Sequence, residues 1–202
     1  MKRSILVGVT GGIGSGKSYI CRKIEAMGYP VFDTDTAARL EMLENETLRS
    51  RLRKLVSPDV FRADGSLNKP VVRAFLHSSP QNASRLDAEV HPCVRQRWRR
   101  WAAGQQSPLV FMECALLYEA RFENEVDCTL VVTASEETRI RRVMQRDGIT
   151  EETVRKWIGM QMSEEEKTRR ADFVIYNDGN TDIDGRIRDI NASISLRFGQ
   201  TM

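Results

Sequence analysis

The feature that most restricts this chain is an eight-residue stretch near its start, Gly11-Gly12-Ile13-Gly14-Ser15-Gly16-Lys17-Ser18, which fits the P-loop pattern G-x-x-x-x-G-K-[ST]. Such a loop has physical meaning only between a strand and a helix. Ser4 to Thr10 is an apolar, β-branched run and reads as a buried strand of a parallel sheet. From Lys17 to Met27, the residues Ile20, Ile24 and Met27 recur at helical spacing. Glycines let the backbone approach a phosphate closely. Successive N–H groups at the positive end of a helix then make a concave anion site. Gly12, Gly14, Ser15, Gly16, Lys17, Ser18 and Tyr19 are therefore expected to line a nucleoside triphosphate site. Lys17 is expected to reach the β- and γ-phosphates, and Ser18 to ligate the Mg²⁺ that arrives with ATP.

The composition adds bounds. A chain of 202 residues, 41% hydrophobic and 29% charged, suits one domain with an insert or lid. A net charge of +3 does not argue for a nucleic-acid partner. Cys21, Cys93, Cys114 and Cys128 lie far apart and read as reduced thiols of a cytoplasmic protein, not as a disulfide frame or zinc site. The chain enters its first strand without a signal peptide, and no apolar run is long enough to span a bilayer, so no membrane partner is expected.

After the first helix, Gly28 is expected as its C-cap. Tyr29 to Phe32 is a short strand ending on Asp33-Thr34-Asp35, and Thr36 to Leu43 reads as a helix. Ligands of open α/β sheets sit beyond the carboxyl ends of the strands, which places Asp33 and Asp35 on the rim that carries the loop. Two apart in an extended segment, they would point the same way. Either is also a fit cap for the helix that follows.

Residues 44 to 106 break the strand–helix alternation and read as a helical insert, a candidate substrate-binding region. Glu46–Leu55, Pro70–His77 and Asn82–Ala103 read as helices and Ser57–Ser66 as loop. The long helix carries Arg85, Arg95, Arg97, Arg99 and Arg100 beside Trp98 and Trp101. A solvated basic face with the tryptophans inward fits this better than a nucleic-acid surface. Pro92 should start or kink a helix, so the long helix is expected to begin near it. His91, taken alone, reads as a packed or hydrogen-bonded residue.

The sheet resumes at Pro108–Met112, followed by Glu113. An apolar strand ending in an acid is similar to the second nucleotide-binding element of P-loop proteins, where the acid holds Mg²⁺ or its water; a surface acid after a strand is the alternative. Cys128–Thr133 is another buried strand, and Ser135 can cap the helix after it. On that helix Ile140, Val143 and Met144 form one face, and Arg139, Arg142 and Arg146 another, up to Asp147-Gly148. Thr150 opens a second helix through Trp157 and Met160, and Ser163-Glu164-Glu165-Glu166 is a capping box for a third. An arginine-bearing helix running into a helical hairpin reads as a lid that brings arginines onto transferring phosphates. Phe173–Tyr176 is a last strand and Ile183–Leu196 a closing helix. The expected class is α/β, a P-loop three-layer fold with a parallel sheet, a helical substrate-binding insert and a helical lid.

One ordered set of segments resembles a known family. Val9 to Ser18, Asp33-Thr34-Asp35-Thr36-Ala37-Ala38-Arg39, His91-Pro92, Leu116-Leu117-Tyr118-Glu119, Arg142-Val143-Met144-Gln145-Arg146, Gln161 and Ala171 to Gly179 follow one another as in dephospho-CoA kinases, from residue 5 to about residue 180. The resemblance implies transfer of the γ-phosphoryl of ATP, with Mg²⁺, to the ribose 3′-hydroxyl of dephospho-CoA. It implies a nucleotide-binding core of residues 1–43, 107–136 and 171–202, a CoA-binding insert of 44–106 and a lid of 137–170. It implies Asp35 as general base, with Lys17, Arg142 and Arg146 neutralising charge. Asp33, Arg39 and His91 fall on the substrate side, with Asp33 also a second candidate for holding Mg²⁺. Asn177 falls near the adenine. A monomer or weak oligomer is expected. Departures from the family pattern are Tyr19 for a common Thr, Ala115 for Pro, Arg139 for Gln, and Leu67-Asn68-Lys69-Pro70 for Leu-Asp-Arg. Rival readings are another P-loop small-molecule kinase, such as a nucleoside monophosphate kinase, and a non-catalytic nucleotide-binding relative.

Overall fold

Continuous apolar runs need cover on both faces, and the computed structural model, which describes residues 3–179 and 181–199, provides it. Strands β1 (Ile5–Thr10), β2 (Val31–Asp33), β3 (Leu109–Glu113), β4 (Cys128–Thr133) and β5 (Phe173–Tyr176) form one sheet in the order β2-β3-β1-β4-β5. Each neighbouring pair is parallel. Every residue of β4 is buried, whereas the edge strands β2 and β5 are partly exposed. Helices α1 (Lys17–Ala26) and α9 (Ile183–Gly199) pack Ile20, Ile24, Ile187, Ile190 and Ile194 against the strands. The central strand is β1, so the loop that follows it leaves the sheet at its middle, where crossovers depart to both sides.

The chain divides into two compact units, Met1–Asp33 with Ala102–Met202, and Thr34–Trp101. The first holds the sheet, α1 and α9 together with α6 (Glu136–Asp147), α7 (Glu151–Gly159) and α8 (Glu164–Arg170). The second contains α2 (Thr34–Glu44), α3 (Glu46–Leu55), α4 (Lys69–Ser78) and most of α5 (Asn82–Ala103). It starts at Thr34, where α2 follows β2 without an intervening residue.

The local signals work as expected at most helix ends. Gly28 adopts a positive φ of 90°, and Gly28 N–H and Tyr29 N–H bond to Glu25 O and Ile24 O, a Schellman end to α1. The hydroxyls of Ser135, Thr150 and Ser163 accept from the N–H of Thr138, Thr153 and Glu166. The Glu166 carboxylate pairs with Arg169, so that capping box is half made. Pro92 is the exception: α5 runs through it without starting there. Val90, Cys93, Val94 and Trp98 are buried on either side of it. Burial of that stripe outweighs a lost backbone hydrogen bond and ring clash costing about 3 kcal/mol. Trp98 is inward and stacks on Trp101 at 5.8 Å, while Arg97 on the basic face is tied to Glu41 at 2.6 Å and Glu44 at 2.8 Å. All four cysteines are free thiols. No helix among the described residues is long and apolar enough to cross a membrane.

Candidate active site

The loop has two sides with different partners. On the inner side, at the start of α1, Lys17 Nζ and Ser18 Oγ both meet Glu113 Oε1, the serine at 2.6 Å. Lys17 and Glu113 are nearly enclosed, with side-chain exposures of 11% and 12%. Glu113 is the last residue of β3 and the register partner of Asp33, the last residue of β2, so two carboxylates share one rung of the sheet's carboxyl edge. One turn beyond Lys17, burial pushes the Cys21 thiol well up, and the charge of Glu113 adds to this. The first N–H groups of α1 have no partners within the helix and face the same end. The buried Ser15 hydroxyl makes no hydrogen bond.

On the outer side, side chains from distant segments grip the loop. Asn177 Nδ2 donates to Ser15 O at 2.9 Å. Arg142 Nη1 reaches Gly14 O and Ser15 O at 3.5 and 3.4 Å, and Arg139 Nε donates to Ile13 O at 3.0 Å. The amides are held too. Gly12 N–H donates to Glu164 Oε1 at 3.0 Å and Ile13 N–H to Gln161 Oε1 at 2.9 Å. Glu164 Oε2 accepts from Thr133 Oγ1 at 2.6 Å, and Arg139, 4% exposed, lies 3.5 Å from Glu164. A Cβ on Gly12 would collide with Glu164 Oε1 and Arg139 Nη2; one on Gly16, at φ 91°, would collide with Asn177. These glycines are required by the protein packed behind the loop as well as by a phosphate in front of it.

The expected residues separate into three groups. Gly12, Gly14, Ser15, Gly16, Lys17 and Ser18 form the loop and its helix start, and Arg142 lies against them. Asp33 stands at the same sheet edge. Tyr19 is 43% exposed, with Lys23 Nζ 5.3 Å from its ring centre. Arg146 instead pairs with Asp147 at 2.7 Å, which raises the arginine pKa and lowers that of the aspartate. Asp35, Arg39 and His91 belong to the second unit. Asp35 lies in the first turn of α2, not in an extended segment, so the alternation argument for it and Asp33 does not hold. Asp35 and Arg39 are one turn apart on that helix, both exposed. His91 is half-buried on α5, 3.7 Å from Asp87.

Glu113 was legible as a strand-end acid similar to the one that holds Mg²⁺ in P-loop proteins, but not as the partner of Lys17 and Ser18, and Glu164 only as a helix-opening residue. Their contacts with the loop and the start of α1 span 95 to 152 positions of sequence, which no local spacing reveals. Gln161 had one signal, its place in the family motif set.

A phosphate-binding loop at the centre of a parallel sheet, with lysine, serine and a strand-end carboxylate converging at its helix start, defines a P-loop phosphotransferase. The family model described as dephospho-CoA kinase (CoaE) matches residues 5–182. A dephospho-CoA kinase of Bacteroides fragilis is 37% identical over 190 residues, covering 94% of this chain and 92% of that protein. One of Thermus thermophilus is 36% identical over 196 residues, covering 96% and 94%. The crystal structure of TT1252 from Thermus thermophilus superposes with a TM-score of 0.83 at 36% identity, covering 96% of this chain and 99% of that one. The fold is shared by the dephospho-CoA kinase of Campylobacter jejuni, with a TM-score of 0.67 at 22% identity over 96% of this chain and 98% of that one. The chain belongs to the dephospho-CoA kinase family.

Proposed function

We propose that this chain transfers the γ-phosphoryl group of ATP to the ribose 3′-hydroxyl of dephospho-CoA, giving coenzyme A. The observation that carries this reading is the family match over residues 5–182, joined to the meeting of Lys17, Ser18 and Glu113. The donor set suits a triphosphate with Mg²⁺: one ammonium, one hydroxyl, helix-start amides and a carboxylate pair at the Asp33–Glu113 rung. Mg²⁺, when bound, neutralises charge on the phosphate oxygens. Ser18 and Glu113 are the residues to hold it, with Asp33 beside them.

The residue roles follow from what phosphoryl transfer needs, which is positioning and neutralisation more than covalent chemistry. Gly12, Gly14, Ser15 and Gly16 shape the cradle. Lys17 leaves Glu113 for the β- and γ-phosphates. Arg142 and Arg146 belong to a lid of residues 137–170; Arg142 stands against the loop already, and Arg146 exchanges Asp147 for a phosphate. Asp35 accepts the 3′-hydroxyl proton as general base, and Arg39, His91 and Asp33 hold the acceptor. Tyr19 lies on the nucleotide side. Asn177, by its bond to Ser15 O, acts on the loop. Helices within residues 44–106 receive the CoA moiety, the chain acts as a monomer or weak oligomer, and a cytoplasmic location suits four buried free thiols.

The test is ADP release from MgATP with dephospho-CoA, beside AMP, shikimate and water. Turnover confined to dephospho-CoA is expected. Turnover with another acceptor alone would replace the substrate, and none with any acceptor would make the chain a nucleotide-binding relative.

A further inference from the structure

The outer side of the loop raises a question that phosphate binding does not answer: what keeps a glycine-rich segment in one shape. Between Gly11 and Ser15 the backbone supplies the bond from Ser15 N–H to Gly12 O. Gly12 and Ile13 are otherwise held by Arg139 of α6, Gln161 of the segment joining α7 to α8, and Glu164, the first residue of α8. Of these, Glu164 alone also engages the sheet among the described residues. One carboxylate oxygen takes the Gly12 N–H and the other takes the hydroxyl of Thr133, the last residue of β4. Thr133 is buried and fixed by the β4–β5 ladder. Glu164 therefore ties the glycine-rich first half of the loop to the end of a buried strand.

We propose that Glu164 is a positioning residue for phosphoryl transfer, setting the place of Gly12 and Ile13 and through them the seat of the transferring phosphoryl group. This rests on the kinase reading for its effect on turnover, but not for its effect on the loop. The argument is geometric. Both anchor bonds need a side chain long enough to span Gly12 and Thr133, with an acceptor for Gly12 and a polar atom for the threonine hydroxyl. Glutamine meets both needs without the charge, since its amide N–H donates to Thr133 Oγ1. Aspartate keeps the charge but is one methylene short. The two variants separate placement from electrostatics. Glu164 also borders a cavity of about 720 Å³ lined by Ser135, Arg139, Gln161 and Thr168, so truncation opens to that space instead of leaving a sealed void.

The experiment compares E164Q, E164D and E164A by steady-state kinetics, by titration with a non-hydrolysable ATP analogue, and by amide exchange at Gly12 and Ile13. In E164A we expect faster exchange at Gly12 with unchanged exchange in β1 and β4. We also expect a kcat lowered by roughly ten- to a hundredfold, the scale of a displacement of up to about 1 Å, with the KM for dephospho-CoA within about twofold. E164Q is expected within about threefold of the parent and E164D near E164A, the order set by which anchor bonds survive. The proposal is overturned if E164A keeps the parent kcat and Gly12 protection, or if E164D recovers activity where E164Q does not. Should E164A fail to fold, the contrast of E164Q with E164D decides. If the parent shows no turnover with dephospho-CoA, the substrate reading falls, while exchange and analogue affinity still decide the role of Glu164.

Discussion

Replacing Glu113 by alanine separates the resting role of its carboxylate from its role with nucleotide. Lys17 and Glu113 form an ion pair with only 11% and 12% side-chain exposure, and Ser18 shares the same oxygen. Removing one member of a buried pair costs about 3–5 kcal/mol, because the other charge is left without its partner. The slight exposure and the option for Lys17 to turn toward water favour the lower end, about 3 kcal/mol. At roughly 2–4 °C per kcal/mol for a chain of this size, Glu113→Ala should melt roughly 6–12 °C lower without ligand.

The nucleotide then reverses the order. In the parent, Mg²⁺-free ATP must take Lys17 from Glu113 and lie beside a carboxylate. In Glu113→Ala neither cost exists, so Mg²⁺-free ATP should raise the melting temperature of the variant by more than that of the parent. Adding Mg²⁺ should help the parent further and the variant little. The assay is thermal unfolding at matched nucleotide saturation, with and without excess chelator. A variant as stable as the parent without ligand would refute the ion-pair argument. An equal gain from Mg²⁺ in both proteins would refute Glu113 as a residue that holds the ion.

Asp35→Asn should lower kcat by about a hundredfold or more, the range of a lost general base, with ATP affinity within twofold by titration; near-parent turnover would move the role to Asp33. Arg142→Ala should slow transfer and loosen Gly14 and Ser15, seen as faster amide exchange there, whereas Arg146→Ala should slow transfer with that exchange unchanged; if neither slows transfer, the lid assignment fails. Burial holds the His91 imidazole below its ordinary value, Asp87 opposes this and Arg95 adds to it. The unfolded chain therefore takes up the proton first, so stability is full above about pH 6.5 and falls as pH drops toward the native value. His91→Gln should flatten the acid side of a urea-midpoint profile, and an unchanged slope would show that the group does not matter to it.

The sheet was legible because β1, β3 and β4 are apolar runs bounded by turns, and a fully buried strand has no other sequence form. Helix ends were legible where a hydroxyl stood three residues before the amide it caps. The start of α5 was not, since a proline rule is local while the buried stripe that overrides it is a property of packing. The compact unit that starts at Thr34 has no local signal either, because the sequence marks where a helix begins, not which neighbours it joins.

The loop shows where motif reading stops. Its pattern states that glycines are needed, and the physical reason at hand is phosphate approach. The structure adds another, because Gly12 and Gly16 leave room for Glu164, Arg139 and Asn177 on the far side. A Gly12→Ala substitution thus evicts the ends of two side chains before it touches any nucleotide. Both can turn toward the adjoining cavity, so the fold should survive while the loop loses its tie to Thr133. Gly12→Ala and E164A should then share one kinetic phenotype, and the double variant should be little worse than either alone, as for two changes that break the same contact. Additive losses would mean that Gly12 acts on the phosphate directly and that the outer brace is incidental to it.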